Sequence, residues 1–114
     1  MGNPFLVIAV PYDGIAQDKN GKDREAFESL VETLLGYERI PATLCFYTEG
    51  VRWVTNESPF VEELKEICSR GADIVACRAS MAEAGMIDDL AVGRLDSADR
   101  IDDMLIGAQH AMVV

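Results

Sequence analysis

Basic residues are scarce in this chain. Ten Lys and Arg stand against 20 Asp and Glu, a formal net charge of −10. No short window collects several Lys or Arg, so no local patch offsets that charge, and phosphate backbones and anionic lipid heads are repelled. Nucleic acid and membrane surfaces are therefore not expected partners. Histidine occurs once, at His110, and the three cysteines, Cys45, Cys68 and Cys77, form no CxxC pair and no ligand spacing. That pattern excludes a structural zinc site, and an odd cysteine count points to reduced thiols rather than a disulfide framework. The glycine-rich fingerprints of dinucleotide and P-loop sites are missing too. No metal and no cofactor is expected.

Long apolar runs are also lacking. Phe5 to Val10 is too short to span a bilayer, and no basic flank precedes it as in a secretion signal, so the expected location is the cytoplasm. Met1-Gly2 opens a myristoylation pattern, but Leu6 stands where that pattern takes Ser or Thr. Aromatic residues make up only 7% of a chain that is 49% hydrophobic, so an ordinary globular core built mainly from aliphatic side chains is expected. The 114 residues suffice for one domain, expected over 1–114, and not for two that each bury a core.

What is present alternates between two patterns. Phe5 to Val10, "ATLCFY" at 42–47 and "DIVAC" at 73–77 are apolar throughout, as strands covered on both faces are. A turn-rich, charged loop follows the first run. Between the runs, Ala26, Phe27, Leu30, Val31, Leu34 and Leu35 repeat at helical spacing, with Asp23 as N-cap and Gly36 as stop. A second helix carries Phe60, Val61, Leu64, Ile67 and Cys68 on one stripe, capped by Ser58 through Pro59 and ended at Gly71. "SMAEAGM" predicts one or two helical turns ended by Gly85. "LAVGRL" at 90–95 is a short strand or an irregular segment. Ile101, Met104, Leu105 and Ala108 mark a last helix capped by Ser97 or Asp99, before a terminal "HAMVV" strand. Apolar strands separated by amphipathic helices predict a three-layer α/β/α fold on a mainly parallel sheet of about five strands.

In such sheets chemistry collects beyond the carboxyl ends of the strands. Three loops qualify: Tyr12 to Gly14, Thr48 to Val51, where Gly50 permits a tight turn, and Cys77 to Ser80. Cys68 sits on a helix stripe and Cys45 in mid-strand, so both read as small buried hydrophobes. Cys77 instead ends its strand, where the amides of a following helix and the Arg78 cation would favour a thiolate. Two readings of Cys77 stay open: a working thiol, or the last buried residue of its strand. Glu83, Asp88, Asp89, Asp102 and Asp103 read as solvated acids without a convergent partner. His110 belongs at the opposite end of the sheet, which argues against a Cys/His pair.

"IPATLCFYTEGVRW", "ESPFVEELKEICSRGADIVAC" and "GMIDDLAVGRLDSADRIDDML" resemble the DsrE/DsrF-like sulfur-relay family, with its TusD-like and YedF carboxyl-terminal-like branches. The similarity spans nearly the whole chain. It implies a compact DsrE-like domain that assembles into dimers, trimers or hexamers and passes a persulfide from a donor protein to an acceptor protein. The implied sulfur carrier is Cys77. The "TEGV" segment matches the family's turn and implies that Glu49 and Gly50 border the same cleft, with Tyr12, Arg78 and Ser80 as further cleft residues. Ser80 stands where relatives often carry a second cysteine, so a persulfide here would rest on one thiol. The implied activity is a cytosolic sulfurtransferase-like relay. The alternative is a non-catalytic DsrE-like assembly or small-molecule-binding subunit, with Tyr12, Tyr47 and Trp53 as pocket aromatics.

Overall fold

The computed structural model describes residues 6–11 and 22–114. Strand β1 (Leu6–Val10) is followed by helix α1 (Lys22–Leu35), β2 (Ala42–Phe46), a 3₁₀ segment (Thr48–Val54) and α2 (Val61–Ser69). Then come β3 (Asp73–Cys77), α3 (Arg78–Glu83), a 3₁₀ turn (Ile87–Asp89), β4 (Arg94–Asp96), α4 (Ala98–Gly107) and β5 (His110–Val113). The five strands form one sheet in the order β4-β3-β2-β1-β5, and every neighbouring pair is parallel. The expected α/β architecture is what is observed.

Strand order decides which face each helix covers. From β1 to β4 the chain steps across the sheet in one direction, and from β4 it returns past β1 to place β5. Right-handed crossovers therefore put the first three connections on one face and α4 alone on the other. The alternation of side chains along the strands follows that division. Ile8, Val10, Leu44, Phe46, Ile74 and Ala76 pack with Phe27, Trp53, Leu64, Ile67 and Met81 on the first face. Val7, Cys45, Val75 and Cys77 meet Ile101, Met104 and Leu105 of α4 on the second. The few aromatics are concentrated on the thicker face. Phe27 stacks on Trp53 with ring centroids 4.3 Å apart, and Phe46 and Phe60 meet Phe27 edge-on at 5.9 and 5.6 Å. Such pairs add about 0.5–1.5 kcal/mol each beyond the area they bury. Trp53, fully buried in this cluster, is a core residue.

Local signals differ from expectation in several places. Helix α1 starts at Lys22, so Asp23 falls inside its first turn instead of before it, and Ala26 on its stripe is exposed. Ser58 Oγ accepts from the Phe60 amide at 3.1 Å, but α2 begins only at Val61, so Ser58 closes the turn ahead of the helix and does not cap it. Ser97, not Asp99, caps α4, its Oγ accepting from the Arg100 amide at 3.2 Å. The strand within 90–95 is confined to Arg94–Asp96; the residues before it are held by the Ala91 amide donating to Val54 O at 2.8 Å and by a Thr55–Leu90 bridge.

Gly50 is the largest difference in mechanism. It has no positive φ; the left-handed residue of that turn is Thr48, at φ 51°. Gly50 is required because the segment runs against the end of β1, where a Cβ would lie 1.9 Å from Val10 O. The obstacle is backbone, so it cannot rotate away. Gly50→Ala is expected to cost at least about 2 kcal/mol in urea unfolding, whereas Gly85→Ala should cost about 1 kcal/mol from its φ alone. Gly85 has open space around it at φ +70°. Equal losses at the two positions would contradict this account.

Candidate functional site

Three strand ends are tied together by one residue. Thr48 follows β2 in a left-handed conformation that a β-branched side chain adopts only under constraint. Its hydroxyl proton is shared between Pro11 O, just past β1, and Tyr47 O at 2.7 Å. Its amide donates to Ser80 Oγ, on α3 beyond β3, at 2.9 Å. Gly50 adds an N–H to Pro11 O at 3.2 Å, and the Tyr47 amide donates to Val10 O at 3.3 Å. The loops after β2 and β3 thus converge as expected. Tyr12, Asp13 and Gly14 lie outside the described residues.

Beside this junction the chain changes sides. The connection leaving β3 turns into α3 on the thick face, and the one leaving neighbouring β4 turns into α4 on the other. A crevice opens between two strands whose connections part in this way. Cys77 is the last residue of β3, paired in register with Asp96 of β4, and lies at the floor of that crevice. The cleft holds about 290 Å³ between Tyr47 and Thr48 on one side, Ala79, Ser80 and Glu83 of α3 on another, and Ala98, Ile101, Asp102 and Leu105 of α4 on the third. A second hollow of about 360 Å³ continues past Thr48, Ser80 and Glu83 to Glu49 and Arg52. Arg52 is paired there with Glu57 at 3.2 Å.

The expected residues are distributed unevenly. Cys77, Ser80 and Tyr47 meet in one cleft, and Glu49 borders the adjoining hollow. Gly50 is buried beneath the turn and shapes the cleft without lining it. Arg78 is exposed and lines neither hollow, so the cation expected beside the thiol is not among the cleft residues. No α3 amide donates to the Cys77 sulfur, and α3 has only six residues, so the expected amide contact to sulfur is absent as well. Glu83 and Asp102 correct the reading in the other direction: they do converge, facing the same cleft from two helices. Nothing in their spacing signals this, because they belong to helices on opposite faces of the sheet. Thr48 was equally hidden, since its role rests on a left-handed φ. Among the described residues no three His, Cys, Asp or Glu side chains gather as metal ligands.

The other two thiols are structural in placement. Cys68 is half-buried on α2 and burial raises its pKa. Cys45 is fully buried in mid-sheet, and burial, followed by the charge of Asp73, pushes its thiol up to about 11 from an ordinary 9.0. Folded chains therefore keep the Cys45 proton at a pH where unfolded chains release it. That contribution to stability is fully present below about pH 9 and disappears as the pH rises toward 11; it is on the order of 2 kcal/mol. Urea unfolding of wild type followed across this window should show the decline, and Cys45→Ala should show a shallower one. Identical slopes would remove Cys45 as its source.

No protein-family model matches the chain, and neither does any curated protein. Solved structures do. The chain is similar to MTH1491 of Methanobacterium thermoautotrophicum, a protein of unknown function, at a TM-score of 0.69 and 15% identity over 98% of this chain and 100% of that one. It is similar to the ychN protein of E. coli at a TM-score of 0.67 and 10% identity over all of both chains. At these identities the likeness concerns fold alone: the α/β architecture seen here on a five-stranded parallel sheet.

Proposed function

We propose that this chain is a sulfur-relay protein of the DsrE/DsrF-like kind, a single cytoplasmic domain that carries sulfur as a persulfide on Cys77. The observation that carries the reading is the position of Cys77: alone of the three thiols, it ends a strand and floors a cleft, at the point where α3 and α4 part. The Cys77 thiolate attacks the outer sulfur of a donor persulfide, forming a new S–S bond as the donor thiolate leaves. An acceptor thiolate then attacks that outer sulfur and returns Cys77 as thiolate. Neither step needs a net oxidant or reductant, and no cofactor takes part. Ser80 stands where a second thiol would otherwise divert the persulfide to an intramolecular disulfide, so the sulfur must leave to a partner.

A second reading is a non-catalytic assembly or small-molecule-binding subunit of the same fold. It is favoured by the burial of Cys77, whose relative exposure is 4%. One experiment separates the two. The protein is treated with a small persulfide donor and its intact mass and peptides are measured. The relay reading expects one added sulfur, on the peptide holding Cys77, with Cys77→Ser unmodified and Cys45→Ala still modified. A wild-type protein that takes up no sulfur, or takes it up on Cys68 alone, leaves only the non-catalytic reading.

A further inference from the structure

Ser80 is placed beside Cys77 by the start of α3. Cys77 has an extended backbone, φ −68° and ψ 117°, and stands immediately before the helix; Ser80 is the third residue within it. Side chains at these two positions lie on one side of a helix start, which is why a CxxC pair placed there can close a bond between its sulfurs. Here the second position carries a hydroxyl, and both residues line the same cleft.

That hydroxyl is oriented. Its oxygen accepts the Thr48 amide at 2.9 Å, and this is its one hydrogen bond among the described residues. A hydroxyl has a single proton to give, and with a lone pair committed to Thr48 the proton points away from that amide. The Thr48 hydroxyl, by contrast, is taken up by Pro11 O and Tyr47 O. The charged groups around the Cys77 sulfur are Glu83 of α3 and Asp102 of α4, which line the cleft, and Asp96 of β4, in register with Cys77 and bridged by Arg94 and Arg100. Tyr47 is the other titratable side chain on the lining, and no Lys or Arg belongs to it. An anion held on Cys77 therefore meets carboxylates from two helices and needs a neutral donor.

We infer that the Ser80 hydroxyl donates a hydrogen bond to the terminal sulfur of a persulfide on Cys77 and holds that sulfur as an anion inside the acidic cleft. The inference rests on the sulfur-relay reading. Cys77 is 4% exposed, so a second sulfur, roughly 2 Å beyond its own, has to lie within the cleft. A hydrogen bond to the charged form favours that form, and one donated to an anion is stronger than one between neutral groups. While sulfur is stored the serine proton stays on its oxygen. On transfer the acceptor thiolate bonds to the terminal sulfur, the electron pair of the Cys77 S–S bond passes to the Cys77 sulfur, and the Ser80 hydroxyl is left as it was. A thiol at position 80 would instead displace the terminal sulfur as hydrosulfide and close a disulfide. The serine keeps the sulfur where a cysteine would expel it.

The test loads the intact protein with sodium tetrasulfide and alkylates it with iodoacetamide across a pH series, reading the persulfide adduct on the Cys77 peptide by mass spectrometry. Wild type, Ser80→Ala and Ser80→Thr are compared. In Ser80→Ala the midpoint of rate against pH is expected to rise by about one pH unit, roughly tenfold slower alkylation below the midpoint, and Ser80→Thr, which restores the hydroxyl, is expected to return it to the wild-type value. Loosening of the Thr48 turn alone would lower the melting temperature and leave the midpoint in place. Where Ser80→Ala does not fold, Ser80→Cys decides: mild oxidation of the unloaded protein should join the introduced thiol to Cys77 within one chain, because a side chain at 80 reaches the place of a sulfur bonded to Cys77. An unchanged midpoint in folded Ser80→Ala, a midpoint that Ser80→Thr does not restore, or the absence of that disulfide overturns the inference and leaves the relay reading standing. A wild type that takes up no sulfur on Cys77 overturns both.

Discussion

The site depends on the close approach between the 3₁₀ segment after β2 and the end of β1. Parallel strands leave their carboxyl ends as loose loops unless something fastens them. Here the fastening is backbone against backbone: Gly50 beneath Val10 O, and the Thr48 hydroxyl on Pro11 O. A left-handed Thr is unfavourable by roughly 1–3 kcal/mol, and it persists only because its surroundings determine it from several directions. The Ser80 hydroxyl is one of those directions, which couples the β2 turn to the start of α3. A change in any one of the three loops is therefore felt at the wall of the Cys77 cleft.

Topology then decides what the fastened loops surround. With three connections on one face and α4 alone on the other, the sheet has one thick side carrying the aromatic cluster and one thin side closed by Ile101, Met104 and Leu105. Cys45 and Cys77 point to the same thin side from neighbouring strands. Their different standing comes from position along the strand. Cys45 is sealed by α4 and by strands to left and right, and its thiol is pushed up by that burial. Cys77 lies where β3 ends and α4 diverges from α3, so the same face that seals one thiol leaves the other beneath an opening.

Much of this was legible in the sequence because the signals are local. Apolar runs of "ATLCFY" and "DIVAC" give strands with nearly their observed bounds, the stripes of α1, α2 and α4 give their buried faces, and Gly36, Gly71 and Gly85 fall just beyond helix ends. Strand-end position singles out Cys77 without further information. The illegible parts are those that depend on non-local approach. Gly50 looks like a turn glycine, and only the position of β1 shows that it is a space-making one. Glu83 and Asp102 look like unrelated surface acids, because the cleft that unites them exists only once α3 and α4 have taken opposite faces. Arg78 is the reverse case: adjacent in sequence to Cys77, it is exposed and lines neither hollow.

The acidic balance of the chain takes on a more specific meaning at this cleft. A net charge of −10 argues against phosphate-rich partners in general, and Glu83 and Asp102 place part of that charge on the lining of the cleft that holds Cys77. Under the proposed relay, a donor or acceptor protein brings its thiol past these two carboxylates. A protein partner with Lys or Arg beside its reactive cysteine is favoured there, because complementary charge both speeds encounter and fixes orientation. Under the proposed relay, the acids of the cleft favour a partner that presents a basic surface.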